Sequence, residues 1–364
     1  MNADREPIRY FIPGPVYVLE ETRRAMTRPI APHRAPEFRA VWDAISAALP
    51  PLFRTARPAM VATGSSTLLM EAALHSLVER DVLHLVNGAF SERWLAVGRS
   101  LGRSSDAVEV PWGEAPSPDL VRAALRRKKY EAVTLVHNET STGVLAPLAE
   151  LARVVREESD ALLLVDTVSS LAGAPVETDA WNLDLVFAGV QKGIAAPPGL
   201  TVFTFSERAE RRAEGIRHRG FYTDLLRYRD KQREGGPITT PAVAECYALE
   251  VQLARIAREG LEARWRRHES LAAATALWSA RVGCENAAQD AVRSPTVSCL
   301  RPPAGVEPAE VVRAAARRGF TISGGYGRFK GSTFRIGHMG EVGEGDLAAL
   351  LAALEEEIRG WTAS

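Results

Sequence analysis

The sequence predicts an α/β protein: a large domain with a mainly parallel sheet sandwiched by helices, plus a smaller C-terminal α+β domain. Three observations predict it. Strand-length apolar runs alternate with amphipathic helical patterns between residues 60 and 205, as in a sheet wrapped by helices. The runs are continuous rather than alternating in polarity, which marks strands covered on both faces. From residue 294 on, short strands and helices follow one another as in a small α+β domain.

The 364 residues suffice for one large core and a second, smaller one. Lysine plus arginine and aspartate plus glutamate number 45 each, which excludes a global field favouring nucleic acid or an anionic membrane. The three cysteines, Cys246, Cys284 and Cys299, show no paired spacing and suit a reducing compartment. No stretch approaches the roughly 20 apolar residues of a membrane span, and the N-terminus lacks a signal-type apolar core. The expectation is a soluble cytoplasmic protein that binds neither nucleic acid nor membrane and holds no metal.

Residues 1–16 read as an extended segment, because Pro13-Gly14-Pro15 forbids a helix. The large domain is expected over 17–255 and the small one over 256–364. A helix over 36–49 has Phe38, Val41, Trp42 and Ile45 on one face. A short strand, a small polar turn and a helix carrying Leu69, Ala73 and Leu77 follow. Further strands are expected at 82–86, 107–110, 132–136, 161–166, 183–187 and 200–205, with helices over 91–101, 118–129 and 147–158 between them. The Arg-rich stretch 206–236 reads as a solvated helix and loop whose interleaved acids argue against a nucleic-acid patch. One long helical pattern from Pro241 towards Ala280 is expected to bridge the domains. Strands at 294–300, 320–323 and 332–337, a helix over 308–318 and a final helix from Gly345 complete the chain.

Within this frame two charges stand alone. Past Asp184, Lys192 is the only charge in 183–205, and Asp166 is the only one in 161–176. A lysine in such a setting either snorkels out of a turn or is a desolvated, reactive amine. The aspartate is either a cap or turn residue, or the partner of a cation. Ligands of open α/β sheets bind beyond the carboxyl ends of the strands, where both residues fall. A pyridoxal phosphate site needs this pair: a lysine to hold the cofactor as a Schiff base and shuttle a proton, and an aspartate to keep the pyridinium protonated. Nearby opposite charge is expected to lower the Asp166 pKa, and desolvation to lower that of Lys192. Residues 63–67, between strand and helix, suit an anion, or are simply a capped helix start. The polar turn 138–143 places hydroxyls at the same sheet edge. Arg335 is either a surface strand residue or a bidentate clamp for a carboxylate.

The motifs TGSST, HNETSTGV, LLLVDTVSSLAG, GVQKGIAAPPG and FRIGHMGE follow in this order, after an N-terminal PGP. With them the chain resembles, over nearly its whole length, the class V aminotransferases of the fold-type I pyridoxal phosphate enzymes. The nearest branch is that of the alanine–glyoxylate and serine–pyruvate aminotransferases. The resemblance implies pyridoxal 5'-phosphate as cofactor. It also implies transamination between a small amino acid (alanine or serine type) and a 2-oxo acid (glyoxylate or pyruvate type) through a Lys192 aldimine. It makes Asp166 the pyridinium partner and gives the phosphate to Ser65, Ser66, Thr67 and Gln191. Thr140 would bond the ring hydroxyl region and Phe90 would stack on the ring. Thr239 and Thr240 would reach the phosphate of a partner subunit, which implies a homodimer with shared active sites. Arg335 would bind the substrate carboxylate, with the backbone at Gly14 lining the same pocket. Animal members have Gly-His in place of Ser66-Thr67, Trp in place of Phe90, and a partner-subunit tyrosine near Gly236 that this chain lacks. Other outcomes of the same chemistry are a lyase, a cysteine desulfurase or a 2-aminoethylphosphonate-type transaminase; a non-catalytic binding protein is a further reading. A desulfurase needs a mobile cysteine, and 324–332 has none. His33, Arg34, Tyr222, Tyr326 and Arg328 are candidates for the side-chain pocket.

Overall fold

The computed structural model describes residues 6–362. Strand β1 (Tyr10–Phe11) is followed by β2 (Met60–Thr63), β3 (Asp81–Val86), β4 (Ser104–Glu109) and β5 (Ala132–Val136). A two-stranded ribbon, β6 (Asn138–Glu139) and β7 (Val144–Leu145), precedes β8 (Leu162–Asp166), β9 (Leu185–Gly189) and β10 (Leu200–Phe205). Seven of these form one sheet in the order β2-β10-β9-β8-β5-β3-β4. All its strands run the same way except β10, which is antiparallel to both neighbours.

Every residue of β5, β8, β9 and β10 is buried, which is why these segments read as unbroken apolar runs. Successive side chains still go to opposite faces. Leu163 and Val165 join the apolar layer under the helix Pro36–Phe53, whereas Leu162 and Leu164 join the one under Thr67–Leu77 and Ala89–Ser100. The edge strand β4 is only half-buried. The helix expected to stop at Leu49 runs on through Pro50 and Pro51 to Phe53, because Leu52 and Phe53 continue its buried face. Burying such a side chain contributes about 1.5–3 kcal/mol.

Two expectations are corrected here. The stretch 206–236 is not solvated all round: it forms helices Glu207–Glu214 and Leu225–Glu234, and Leu225, Leu226 and Tyr228 are buried. Tyr228 packs edge-on against Phe203 of β10 at 5.2 Å. The bridging helix is two helices, Val243–Glu259 and Leu261–Arg281, broken at Gly260, whose φ of 79° lies in the region that favours glycine.

The small domain is built on β11 (Glu285–Asn286), β12 (Val297–Arg301), β13 (Thr321–Gly324) and β14 (Phe334–Gly337). Its sheet has the order β1-β13-β14-β12-β11, so the N-terminal segment supplies an edge strand, parallel to β13. No helix among the described residues is long and apolar enough to cross a membrane.

One buried ion network ties the segments together. Arg264 is fully buried and donates to Glu259 at 2.6 Å, to Glu341 at 2.9 Å and to the Gly193 carbonyl at 2.8 Å. Glu341 also accepts from Arg255 at 3.2 Å and from Gln252 at 2.7 Å. Burial alone would raise the Glu341 pKa, but Arg264, Arg255 and Arg267 outweigh it and hold the carboxyl at about 2. The folded-state pKa is below that of the unfolded chain, about 4.3. The stability gained is therefore complete above about pH 5 and is lost as pH falls towards 2. Glu341→Gln should shrink the loss of stability between near-neutral and acidic pH, read by urea denaturation at each pH. An unchanged pH dependence would show that this carboxylate does not carry it.

Candidate active site

A cavity of about 280 Å³ opens where the carboxyl ends of β5 and β8 meet the helix Thr67–Leu77, the N-terminal segment and the small sheet. It is lined by all the site residues expected from sequence except Thr239 and Thr240: Gly14, Ser65, Ser66, Thr67, Phe90, Thr140, Asp166, Gln191, Lys192 and Arg335. Thr239 and Thr240 are exposed and stay off this cavity; Thr239 borders a separate crevice with Tyr222 and Pro241. Among the described residues no group of three or more His, Cys, Asp or Glu is placed to hold a metal ion.

Lys192 sits in the irregular loop between β9 and β10 and is buried. Its Nζ donates to Thr140 Oγ1 at 3.0 Å and to Ser169 Oγ at 2.9 Å, and these two hydroxyls bond each other. The Phe90 ring centroid is 4.8 Å from the same nitrogen. No carboxylate among the described residues makes an ion-pair contact with it, so burial depresses the amine's pKa, against the pull of Asp166 and Glu139.

Asp166 ends β8, buried, with Oδ1 accepting the Val168 N–H at 2.8 Å. Its pKa moves up rather than down, contrary to the sequence expectation. Lost hydration is the largest influence, and neither the Val168 N–H nor the Lys192 charge offsets it.

The helix Thr67–Leu77 starts at the cavity with no side-chain cap; the N–H groups of Leu68 and Leu69 donate to the Ser65 and Ser66 carbonyls, and the positive end of the helix faces the cavity beside Ser65, Ser66 and Thr67. Gln191 and Ser66 converge there: a Cβ on Gly189 would fall 2.6 Å from Ser66 Oγ and would also strike Gln191 Oε1. Across the cavity, Arg335 of β14 is 8% exposed and has no carboxylate partner among the described residues. Its Nε donates to the Gly324 carbonyl at 3.1 Å and its Nη1 to the Thr140 carbonyl at 3.3 Å, which leaves donors for a ligand.

Several residues escaped the sequence reading. Ser169, the second hydroxyl on Lys192, lies in the polar turn Asp166-Thr167-Val168-Ser169-Ser170, where nothing in the sequence sets it apart from its neighbours. Arg93 lines the cavity one helical turn after Phe90, with its guanidinium 4.9 Å from that ring. Of the candidate side-chain pocket, Tyr326 lines the cavity and stacks on Phe90 at 5.7 Å; His33, Arg34, Tyr222 and Arg328 do not line it.

Gly14 has φ of 111°, and a Cβ on it would lie 2.8 Å from Lys192 Cγ. Gly14→Ala should therefore destabilise the fold by about 1–3 kcal/mol. Urea denaturation measures this, and unchanged stability would mean that the N-terminal segment yields without strain.

The sequence model of the family described as aminotransferase class-V matches residues 62–329. The chain is 37% identical to an uncharacterised aminotransferase of Methanocaldococcus jannaschii, over 98% of this chain and 94% of that one. It is 32% identical to the serine–glyoxylate aminotransferase of Methylorubrum extorquens, over 98% of this chain and 92% of that one. A solved structure of the subgroup IV aspartate aminotransferase of Thermus thermophilus superposes with a TM-score of 0.90 at 33% identity, covering 96% of this chain and 99% of that one.

Proposed function

The chain belongs to the class V aminotransferases, and on that premise we propose that it transfers an amino group from a small amino acid of the alanine or serine type to a 2-oxo acid of the glyoxylate or pyruvate type, with pyridoxal 5'-phosphate as cofactor. The observation that carries this reading is the Lys192 amine, buried against hydroxyls only, in one cavity with a buried carboxylate and an arginine that lacks a carboxylate partner.

The residues fit the cofactor. The uncapped helix start with Ser65, Ser66, Thr67 and Gln191 suits its phosphate, Phe90 its ring face, Thr140 its ring hydroxyl region and Asp166 its ring nitrogen. When bound, the cofactor supplies an electron sink for charge developing at the substrate α-carbon. Lys192 attaches the cofactor between turnovers. Its Nζ takes the proton from the donor's α-carbon and delivers one to the acceptor's in the reverse half. Thr140 and Ser169 hold the amine when it is free. Asp166 keeps a proton on the ring nitrogen. Arg335 clamps the substrate carboxylate, with the Gly14 backbone opposite.

The serine–glyoxylate relative supports a small donor of the alanine or serine type. Thr239 and Thr240, exposed and off their own cavity, are assigned to the phosphate of a second copy, in a homodimer with shared sites. A second reading has a donor with an anionic side chain, aspartate or an aminophosphonate. Arg93 favours it, since it lines the cavity with no carboxylate partner among the described residues. The Thermus relative bears the name aspartate aminotransferase. A desulfurase is disfavoured: no cysteine lines the cavity, and burial pushes the Cys246 and Cys284 thiols up to about 12.

A screen of donors and acceptors with product detection tests the substrate class. Lys192→Ala should lower transamination by about 10²–10⁴-fold; undiminished turnover would overturn its role. Arg335→Ala should raise the substrate KM by about 10–100-fold and leave the visible spectrum of the cofactor-loaded protein intact. Loss of cofactor in that variant would instead place Arg335 in the cofactor's own binding.

A further inference from the structure

Glu139, in β6, is fully buried, and the proposed chemistry gives it no part. A carboxylate leaves water only where donors replace its hydration, and here they come from the distant Phe90–Ser91 pair and from Ser141, two residues on. Glu139 Oε2 accepts the N–H groups of Phe90 at 3.1 Å and Ser91 at 3.0 Å, and the Ser91 hydroxyl at 3.2 Å. Its Oε1 accepts the N–H of Ser141 at 3.2 Å and the Ser141 hydroxyl at 2.6 Å.

Phe90 and Ser91 form the first turn of the helix Ala89–Ser100, which is preceded by Gly88, a residue with no side chain to cap it. Glu139, 49 residues after Phe90, supplies the anion that a helix N-terminus favours. The backbone is shaped around it: a Cβ on Gly88 would lie 2.6 Å from both Glu139 Cδ and Ser141 Oγ. The groups it holds face the cavity. The Phe90 ring lies 4.8 Å from Lys192 Nζ. Thr140, the next residue, accepts from Lys192 through its hydroxyl and from Arg335 through its carbonyl.

We infer that Glu139 is the positioning residue of this site: one buried carboxylate fixes Phe90 over, and Thr140 against, the Lys192 amine. The inference rests on the reading of Lys192 as the reacting amine. Charges facing Lys192 also connect the two. Asp166 and Glu139 raise its pKa, Arg335 and Arg93 lower it, and burial lowers it most. Glu139→Gln thus removes a charge that favours the ammonium, whereas Gly88→Ala keeps the charge and displaces the carboxylate.

Acetylation of Lys192 in the cofactor-free protein, followed by peptide mass spectrometry over a pH series, reads the first effect. Equilibrium titration with pyridoxal 5'-phosphate reads the second. Ser117→Ala, which removes a helix cap that does not line the cavity, is the control for loss of stability alone. The Glu139→Gln midpoint for Lys192 should fall by about half a pH unit or more. Both cavity variants should bind pyridoxal 5'-phosphate about tenfold more weakly than wild type, with Ser117→Ala unchanged in both measurements. If Glu139→Gln does not fold, the Gly88→Ala titration decides. Variants that match Ser117→Ala in both measurements would overturn the role of Glu139 alone. A wild-type Lys192 that titrates as an ordinary lysine would overturn the reading of Lys192, and the inference with it.

Discussion

Taking the Lys192 amine out of water without a carboxylate in contact is the constraint on which the surrounding structure depends. An ammonium in direct contact with Asp166 would be cheaper to bury, yet the amine is held by Thr140 and Ser169, two neutral oxygens. Hydroxyls partner the neutral amine as well as the ammonium, so the group keeps both protonation states within reach. That suits the role proposed for this nitrogen, to attack a carbonyl and then carry a proton. The arrangement holds only while the hydroxyls stay in place. Thr140 is fixed between Glu139 and Ser141, which anchor the helix bearing Phe90, and Ser169 lies in the turn begun by Asp166.

The same loop is gripped from outside the large sheet. The Val16 N–H donates to the Gln191 carbonyl at 3.0 Å, and Arg264 donates to the carbonyl of Gly193. Gly14 lies so close to the Lys192 side chain that no Cβ fits between them. The N-terminal segment, the helix Leu261–Arg281 and the turn carrying Glu341 therefore meet the residues on either side of Lys192. Any shift of the small domain is felt at the amine and at Arg335 together, because Arg335 belongs to the small sheet yet bonds the Thr140 carbonyl.

How much of this was legible in the chain follows from the range of each interaction. Strands β5 and β10 could be read to the residue because burial on both faces writes itself locally as an unbroken apolar run. Lys192 and Asp166 were legible as lone charges in such runs. The break at Gly260 was not, because the helical pattern continues on both sides of it. Nor was the burial of Leu225 and Leu226, two leucines set in a strongly charged segment. Ser169 and Glu139 carry no local mark of their partners, which lie 23 and 49 residues away. A hydroxyl or carboxylate in a polar turn looks the same in sequence whether it faces water or an amine.

The direction of the Asp166 shift belongs with these, and it bears on what the cavity is for. Sequence offers the neighbouring lysine, which argues for a lowered pKa; structure adds the gap between them, across which attraction does not replace lost water. A closed Asp166–Lys192 ion pair would have reversed that balance and filled the space between the two groups. Their separation instead leaves a carboxylate and an amine that line the same cavity without contacting each other. The cofactor proposed above, with a protonated ring nitrogen at one end and an electrophilic carbon at the other, would meet both groups at once, and that fit depends on their being held apart.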